Sequence, residues 1–339
     1  MSRLTASFRI HKLAQDLGLR STEDPISSII QFCEKRVRSF LKEFPKCSSP
    51  SELMDILAAK LRTKFEIIRD DQDLNEIKRR YIAAGERVFA NLENEFPVDV
   101  FGVTFRRLTK KPWEPDFVSV IDSRGEKSFR ANHTKWHELG HLLVMTDQLR
   151  IAFRRTFCKQ DFKDAEESLV DVLAGHFEYW PSFFTNRMTG RISFRKIEDV
   201  RVEICPEASK ASSILGLVKA WPTPCVLIEA SLDYKQKDKD LQGQAAMPFR
   251  DIPKKDLRVT SILVNDPARL LGMRLHRNWR VPRESALYRA FEDSEPKTEI
   301  ENLNWWTTST GSRLPDFQVS VETRKAGDVV QALLTPERV

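Results

Sequence analysis

Apolar residues in this chain recur first at helical spacing and later in strict alternation, and the change falls near residue 221. Residues 25–44 carry Ile26, Ile29, Ile30, Cys33, Val37, Phe40 and Leu41 on one helical face. "KCSSPSELMDILAAKL" predicts a second helix, with Ser49 or Ser51 as its N-cap. "KFEIIRD" reads as a short strand. A charged helix is expected over residues 73–94, with Leu74, Ile77, Tyr81, Ala84, Val88 and Leu92 along one side. "FPVDVFGVTFRRL" and "PDFVSVIDSRG" read as strands, the second closing in a turn. Helices are then expected around "KWHELGHLLV" and over residues 162–180, where Pro181 stops the pattern. Two short helices follow. Beyond Trp221-Pro222-Thr223-Pro224 the texture becomes that of strands: "PCVLIEASLDY", "DLRVTSILVND", "DFQVSVETR" and "DVVQALLTP". Between them lie a polar loop, "KQKDKDLQGQ", and a helix, "PRESALYRAFED". The fold class expected is α+β, with a helix-rich first half and a boundary near Trp221.

Composition narrows this picture. The 339 residues suffice for more than one domain, and 12 glycines are few for a chain of this length, which favours helices. A net charge of +6 is compatible with nucleic acid or an acidic partner and selects neither. The five cysteines (Cys33, Cys47, Cys158, Cys205, Cys225) are odd in number and widely spaced, as in a set of reduced thiols. Cys158 reads as a plain buried thiol, with a redox or ligand role as the alternative. The first twenty residues lack the apolar core of a signal peptide, and no apolar run approaches about 18 residues. A cytoplasmic protein without a membrane partner is expected.

"KWHELGHLLV" carries the chemistry. On a helix, His137 and His141 lie one turn apart on one face and can share a cation, while Glu138 sits beside them as a base for a bound water. Leu139, Leu142 and Leu143 supply a stripe to bury, and Gly140 permits close approach of another element. A catalytic zinc needs a third protein ligand. "DAEESLVDVLAGHFEYWP" offers Glu167, with Asp171 one turn further as an acceptor for the other nitrogen of a ligand imidazole. Glu166 and His176 compete for the third position. The bland alternative is a surface helix with two histidines followed by an acidic helix start.

These segments resemble the ImmA/IrrE family of metallopeptidases. That family joins a phenylalanine and H-E-x-G-H to a later E-x-x-x-[ND] helix, with small and apolar residues and then a proline beyond it. The positions here are Phe129, His137-Glu138-Leu139-Gly140-His141, Glu167-Ser168-Leu169-Val170-Asp171, Ala174 and Pro181. Trp136 stands where members usually carry a small residue. The resemblance implies a zincin-like peptidase domain over residues 1–195, a helix-turn-helix-like segment over 196–220 and a GAF-like sensor domain over 221–339. It implies Zn²⁺, with Mn²⁺ as the alternative, held by His137, His141 and Glu167, and Glu138 as the catalytic base. It further implies site-specific cleavage of a helix-turn-helix repressor, releasing stress, mobile-element or phage-defence genes. Single-stranded DNA or a small molecule would be the activator.

Arg274, Arg277, Trp279 and Arg280, within "RLLGMRLHRNWRVPRE", suit a nucleic-acid backbone and a stacked base. The plainer expectation is a basic edge paired with "FEDSE". His133, His176 and Tyr179 lie within sequence reach of the metal motif and read as structural. A rival class is a DNA- or ligand-binding regulator whose metal site is structural or vestigial. Glu138 argues against it, because a structural zinc needs no base. An unspecific peptidase or toxin is a further enzymatic alternative.

Overall fold

A computed structural model describes residues 8–19, 23–145, 152–156, 165–235, 254–307 and 313–337. Cys158, most of the expected polar loop and the start of the helix expected at 162 lie outside these residues. The protein is a mixed α+β chain in two compact units. The first comprises Met1–Phe183 with Val202–Ser212, the second Phe184–Arg201 with Ser213–Val339. Among the described residues no helix is long and apolar enough to cross a membrane. Cys33, Cys47 and Cys225 are free thiols.

The first unit opens with α1 (Phe8–Asp16), α2 (Pro25–Leu41) and α3 (Pro50–Lys60). Asp24 caps α2 by accepting the Ser27 N–H at 3.1 Å, and Ser49 caps α3 by accepting that of Glu52 at 3.2 Å. Each cap precedes a proline whose fixed φ suits the first turn. A four-stranded sheet follows, made of β1 (Thr63–Ile68), β2 (Val100–Arg106), β3 (Phe117–Asp122) and β4 (Ala152–Thr156). Its order is β1-β3-β2-β4, with β1 and β3 parallel and β2 antiparallel to both its neighbours.

Alternation along the strands sends Val103, Phe105, Val118 and Val120 to one face of the sheet. There they pack with Leu74, Ile77 and Tyr81 of α4 (Asp71–Ala83) and with Phe89 and Leu92. Gly102, Thr104 and Ser119 take the opposite phase and face α5 (Ala131–Leu143). α5 and α6 (Ala165–Glu178) share a second core with α1, α2 and α3, in which Trp136, Leu139, Leu142, Leu143, Leu169 and Leu173 are buried. α7 (Pro181–Phe184) begins at Pro181.

The single helix expected over 73–94 is two elements. α4 ends at Ala83, and a 3-10 segment runs over Arg87–Glu95. Gly85, at φ +86°, makes the stop. Its N–H bonds the Ile82 carbonyl and the Glu86 N–H reaches back to that of Tyr81, both at 2.9 Å, which ends the helix in a left-handed cap. Glu86 then turns its buried carboxylate under the β2–β3 loop, accepting Leu108 N, Thr109 N and Arg107 Nε.

α8 (Phe194–Ile204) and α9 (Lys210–Ala220), which cover the segment expected to be helix-turn-helix-like, contribute residues to both units. The second unit is built on an antiparallel sheet of β5 (Val226–Asp233), β6 (Asp256–Val264), β7 (Thr298–Asn302), β8 (Gln318–Ala326) and β9 (Val329–Pro336), in the order β6-β5-β9-β8-β7. One face (Val226, Ile228, Val319, Val321, Ala332, Leu334) packs with Ala268 of α10 (Asp266–Leu270), with Ala286, Leu287 and Ala290 of α11 (Ala286–Asp293), and with Trp306. Of the adjacent tryptophans, Trp306 is buried and Trp305 exposed, but a 3-10 turn rather than a strand separates them.

Candidate metal centre

α5 and α6 bring the predicted residues together because Gly140 lets them approach. A methyl group there would fall 2.9 Å from Val170 Cγ1 and 3.4 Å from the Val170 carbonyl oxygen. Across this contact the ligand atoms of His137, His141 and Glu167 all lie within 4.8 Å of one another. His137 Nε2 is 3.1 Å from Glu167 Oε2, His141 Nε2 is 3.3 Å from Glu167 Oε1, and the two Nε2 atoms are 3.1 Å apart. Ligand bonds of about 2.0–2.1 Å in a tetrahedral site place neighbouring donors about 3.3 Å apart, so the trio matches what a zinc ion requires. Asp171 Oδ1 lies 2.8 Å from His137 Nδ1, which fixes that nitrogen as the N–H and leaves the Nε2 lone pair facing the other two groups.

Electrostatics agree with the donor chemistry. Burial pushes the Glu167 carboxyl up, but when the facing His137 and His141 imidazoles carry their protons, their hydrogen bonds and charge outweigh it and bring it down to about 2. The carboxylate is therefore ionised at neutral pH, as a ligand must be.

Glu138 is fully buried on the sheet side of α5. Thr104 Oγ1 donates to its Oε2 at 2.7 Å. That commits the only proton of Thr104, so its 2.6 Å bond with Ser119 is donated by Ser119, and the 3.0 Å bond between Ser119 and Thr63 by Thr63. Three hydroxyls on β1, β3 and β2 thus point their protons in sequence towards one carboxylate. Gly102 leaves room for it, since a methyl group there would fall 2.8 Å from Glu138 Oε1 and 2.6 Å from Thr134 Cγ2. Sequence reasoning missed Thr63, Gly102, Thr104 and Ser119. Their signal was present: small or hydroxyl residues on one phase of otherwise apolar strands.

Neither competitor for the third position, Glu166 nor His176, belongs to the cluster. His176 Nε2 lies 2.8 Å from Glu34 Oε1. His133 Nδ1 lies 2.9 Å from Glu178 Oε2, a buried carboxylate that also accepts from Asn132 and Ser212, while the Tyr179 hydroxyl donates to Ser212. Trp136 is buried in the helical core, and Phe129 is exposed on a 3-10 segment (Gly125–Arg130) just before α5.

In the second unit, Arg274 and Arg277 are exposed and form no ion pair among the described residues. Arg280 lies 3.4 Å from Asp256. Trp279 is half-buried against the core with its ring 5.2 Å from that of His276. Asp293 of "FEDSE" pairs with Lys297 rather than with this stretch. No protein-family model matches the chain, and no curated protein sequence matches it.

Proposed function

We propose that the chain is a zinc-dependent site-specific endopeptidase of the ImmA/IrrE type, with Mn²⁺ as the alternative metal. Its substrate would be a DNA-binding helix-turn-helix repressor, cleaved to induce stress, mobile-element or phage-defence genes. In this reading the first unit is zincin-like, and a GAF-like second unit senses single-stranded DNA or a small molecule, with Arg274, Arg277, Trp279 and Arg280 as its contact surface. One observation carries the proposal: His137, His141 and Glu167 converge, with Asp171 orienting His137. Among the described residues three protein ligands converge, which leaves a fourth position for chemistry, whereas structural zinc sites are closed by four.

A bound zinc would polarise the scissile carbonyl and make a neighbouring water more acidic. The chain's own groups do the rest. Glu138 takes the proton of the attacking water on a carboxylate oxygen and passes it to the leaving amine. Thr104 holds the other oxygen at 2.7 Å, which limits the rotation of the base. Asp171 keeps His137 in one tautomer throughout.

The second reading, a binding regulator with a structural or vestigial metal, draws on the complete burial of Glu138. Metal analysis and proteolysis on one set of proteins separate the two. Wild type and Glu138→Ala should carry near-stoichiometric zinc, while His141→Ala and Glu167→Ala should lose it. Loaded wild type should cleave a co-expressed helix-turn-helix repressor, with Glu138→Ala slower by about 10²–10⁴-fold. Zinc in the wild type with equal cleavage, or none, in both proteins would favour the regulator. Absence of tight metal, together with no cleavage after metal is added, would end both metal readings.

A further inference from the structure

The sheet of the second unit presents polar groups on the face turned away from its apolar core. Thr298 on β7, Ser320 and Glu322 on β8 and Thr335 on β9 share this face, since Thr298 is paired with Glu322 and Ser320 with Thr335. With Arg191 and Ser193 of the same unit they line a cavity of about 310 Å³, floored by Leu333. Ser320 and Thr335 are 6% and 5% exposed as residues, and they line this cavity beside Glu322.

The charges select the occupant. Arg191 is neutralised by Glu337 at 2.7 Å. Glu322 accepts the Phe194 N–H on both oxygens, at 3.2 and 3.3 Å, and has no ion-pair partner among the described residues. Arg324, two residues along the same strand, lies over the Phe194 ring and donates to Gln331. Burial accordingly raises the Glu322 carboxyl, against the opposing pull of the Phe194 N–H and of Arg324. One cation on the occupant would compensate it.

We propose that this cavity binds a small hydroxylated amine, its ammonium on Glu322 and its hydroxyls on Ser320 and Thr335. The volume holds about ten waters at about 30 Å³ each, which suits an amino alcohol or a single amino sugar. The site is independent of the metal centre and stands or falls without it.

Isothermal titration of the full chain with glucosamine and ethanolamine, against glucose and ethylene glycol, tests this. Each amine should bind about 10- to 100-fold more tightly than its uncharged counterpart. Glu322→Gln should remove that preference, and Ser320→Ala should weaken glucosamine while retaining the preference for charge. Circular dichroism checks that each variant folds; should Glu322→Gln fail, Glu322→Asp takes its place and should weaken both amines. Binding of neither amine would mean that water alone fills the cavity and would overturn the proposal. Equal binding of glucose and glucosamine, or amine binding unaffected by the Glu322 variant, would overturn it too.

Discussion

Thr104 has a single proton to donate, and it goes to Glu138 inside a space closed to solvent. Thr104→Val keeps the shape and removes the donor, leaving a buried carboxylate without one of its hydrogen bonds. The expected cost is about 1–3 kcal/mol, read from the urea midpoint at unchanged slope, with metal content unaltered. Asp171→Asn should act on the opposite property. An amide in place of the carboxylate weakens the hold on His137 Nδ1, and zinc affinity in a chelator competition should fall about 10- to 100-fold. The two variants differ in how visible their residues are in sequence. His137, His141, Glu167 and Asp171 follow the four-residue spacing of helices, so their convergence is legible once both helices are recognised. The hydroxyl chain is not, because Thr63 and Ser119 are 56 residues apart and Thr104 and Glu138 are 34 apart. Only the pairing of strands brings them into line.

Among the elements, the contact between α5 and α6 sets the spacing of His137, His141 and Glu167. Gly140→Ala should push the helices apart at Val170 and cost about 1–3 kcal/mol in chemical denaturation. Val170→Ala in the same chain should recover part of that loss, which an intrinsic helix effect of alanine would not predict. The close approach was legible in "HELGH", where a helix interior tolerates glycine at a cost and needs a reason for it. The division of the 73–94 helix was less so. Its apolar spacing continues through Val88 and Leu92, and the stop depends on the positive φ of Gly85 and on where Glu86 finds its donors. β4 and β7 escaped the strand reading for a related reason. Each is five residues long, and the charged runs "AFRRT" and "TEIEN" gain strand geometry from the neighbours they pair with.

For the molecule as a whole, acid stability should depend on Asp122, at the end of β3. Burial alone would raise its carboxyl, but Arg124 at 2.9 Å and Lys127 at 2.7 Å prevail and hold it below its ordinary value of 3.8. A carboxylate lowered by folding stabilises the native state above its unfolded value, and that contribution disappears as the pH falls through the folded one. Asp122→Asn should therefore flatten the acid limb of the stability curve below about pH 4, measured by urea unfolding at a series of pH values. The division into two units has a practical corollary for anyone expressing the candidate metal site alone. Residues 202–212 belong to the first unit, and Ser212 donates to Glu178 at 3.0 Å beside His133. A fragment cut after α7 would look complete by its motifs and lack that buttress, together with buried Cys205 and Ala208. The working peptide boundary is set by a stretch of chain that carries none of the motif residues.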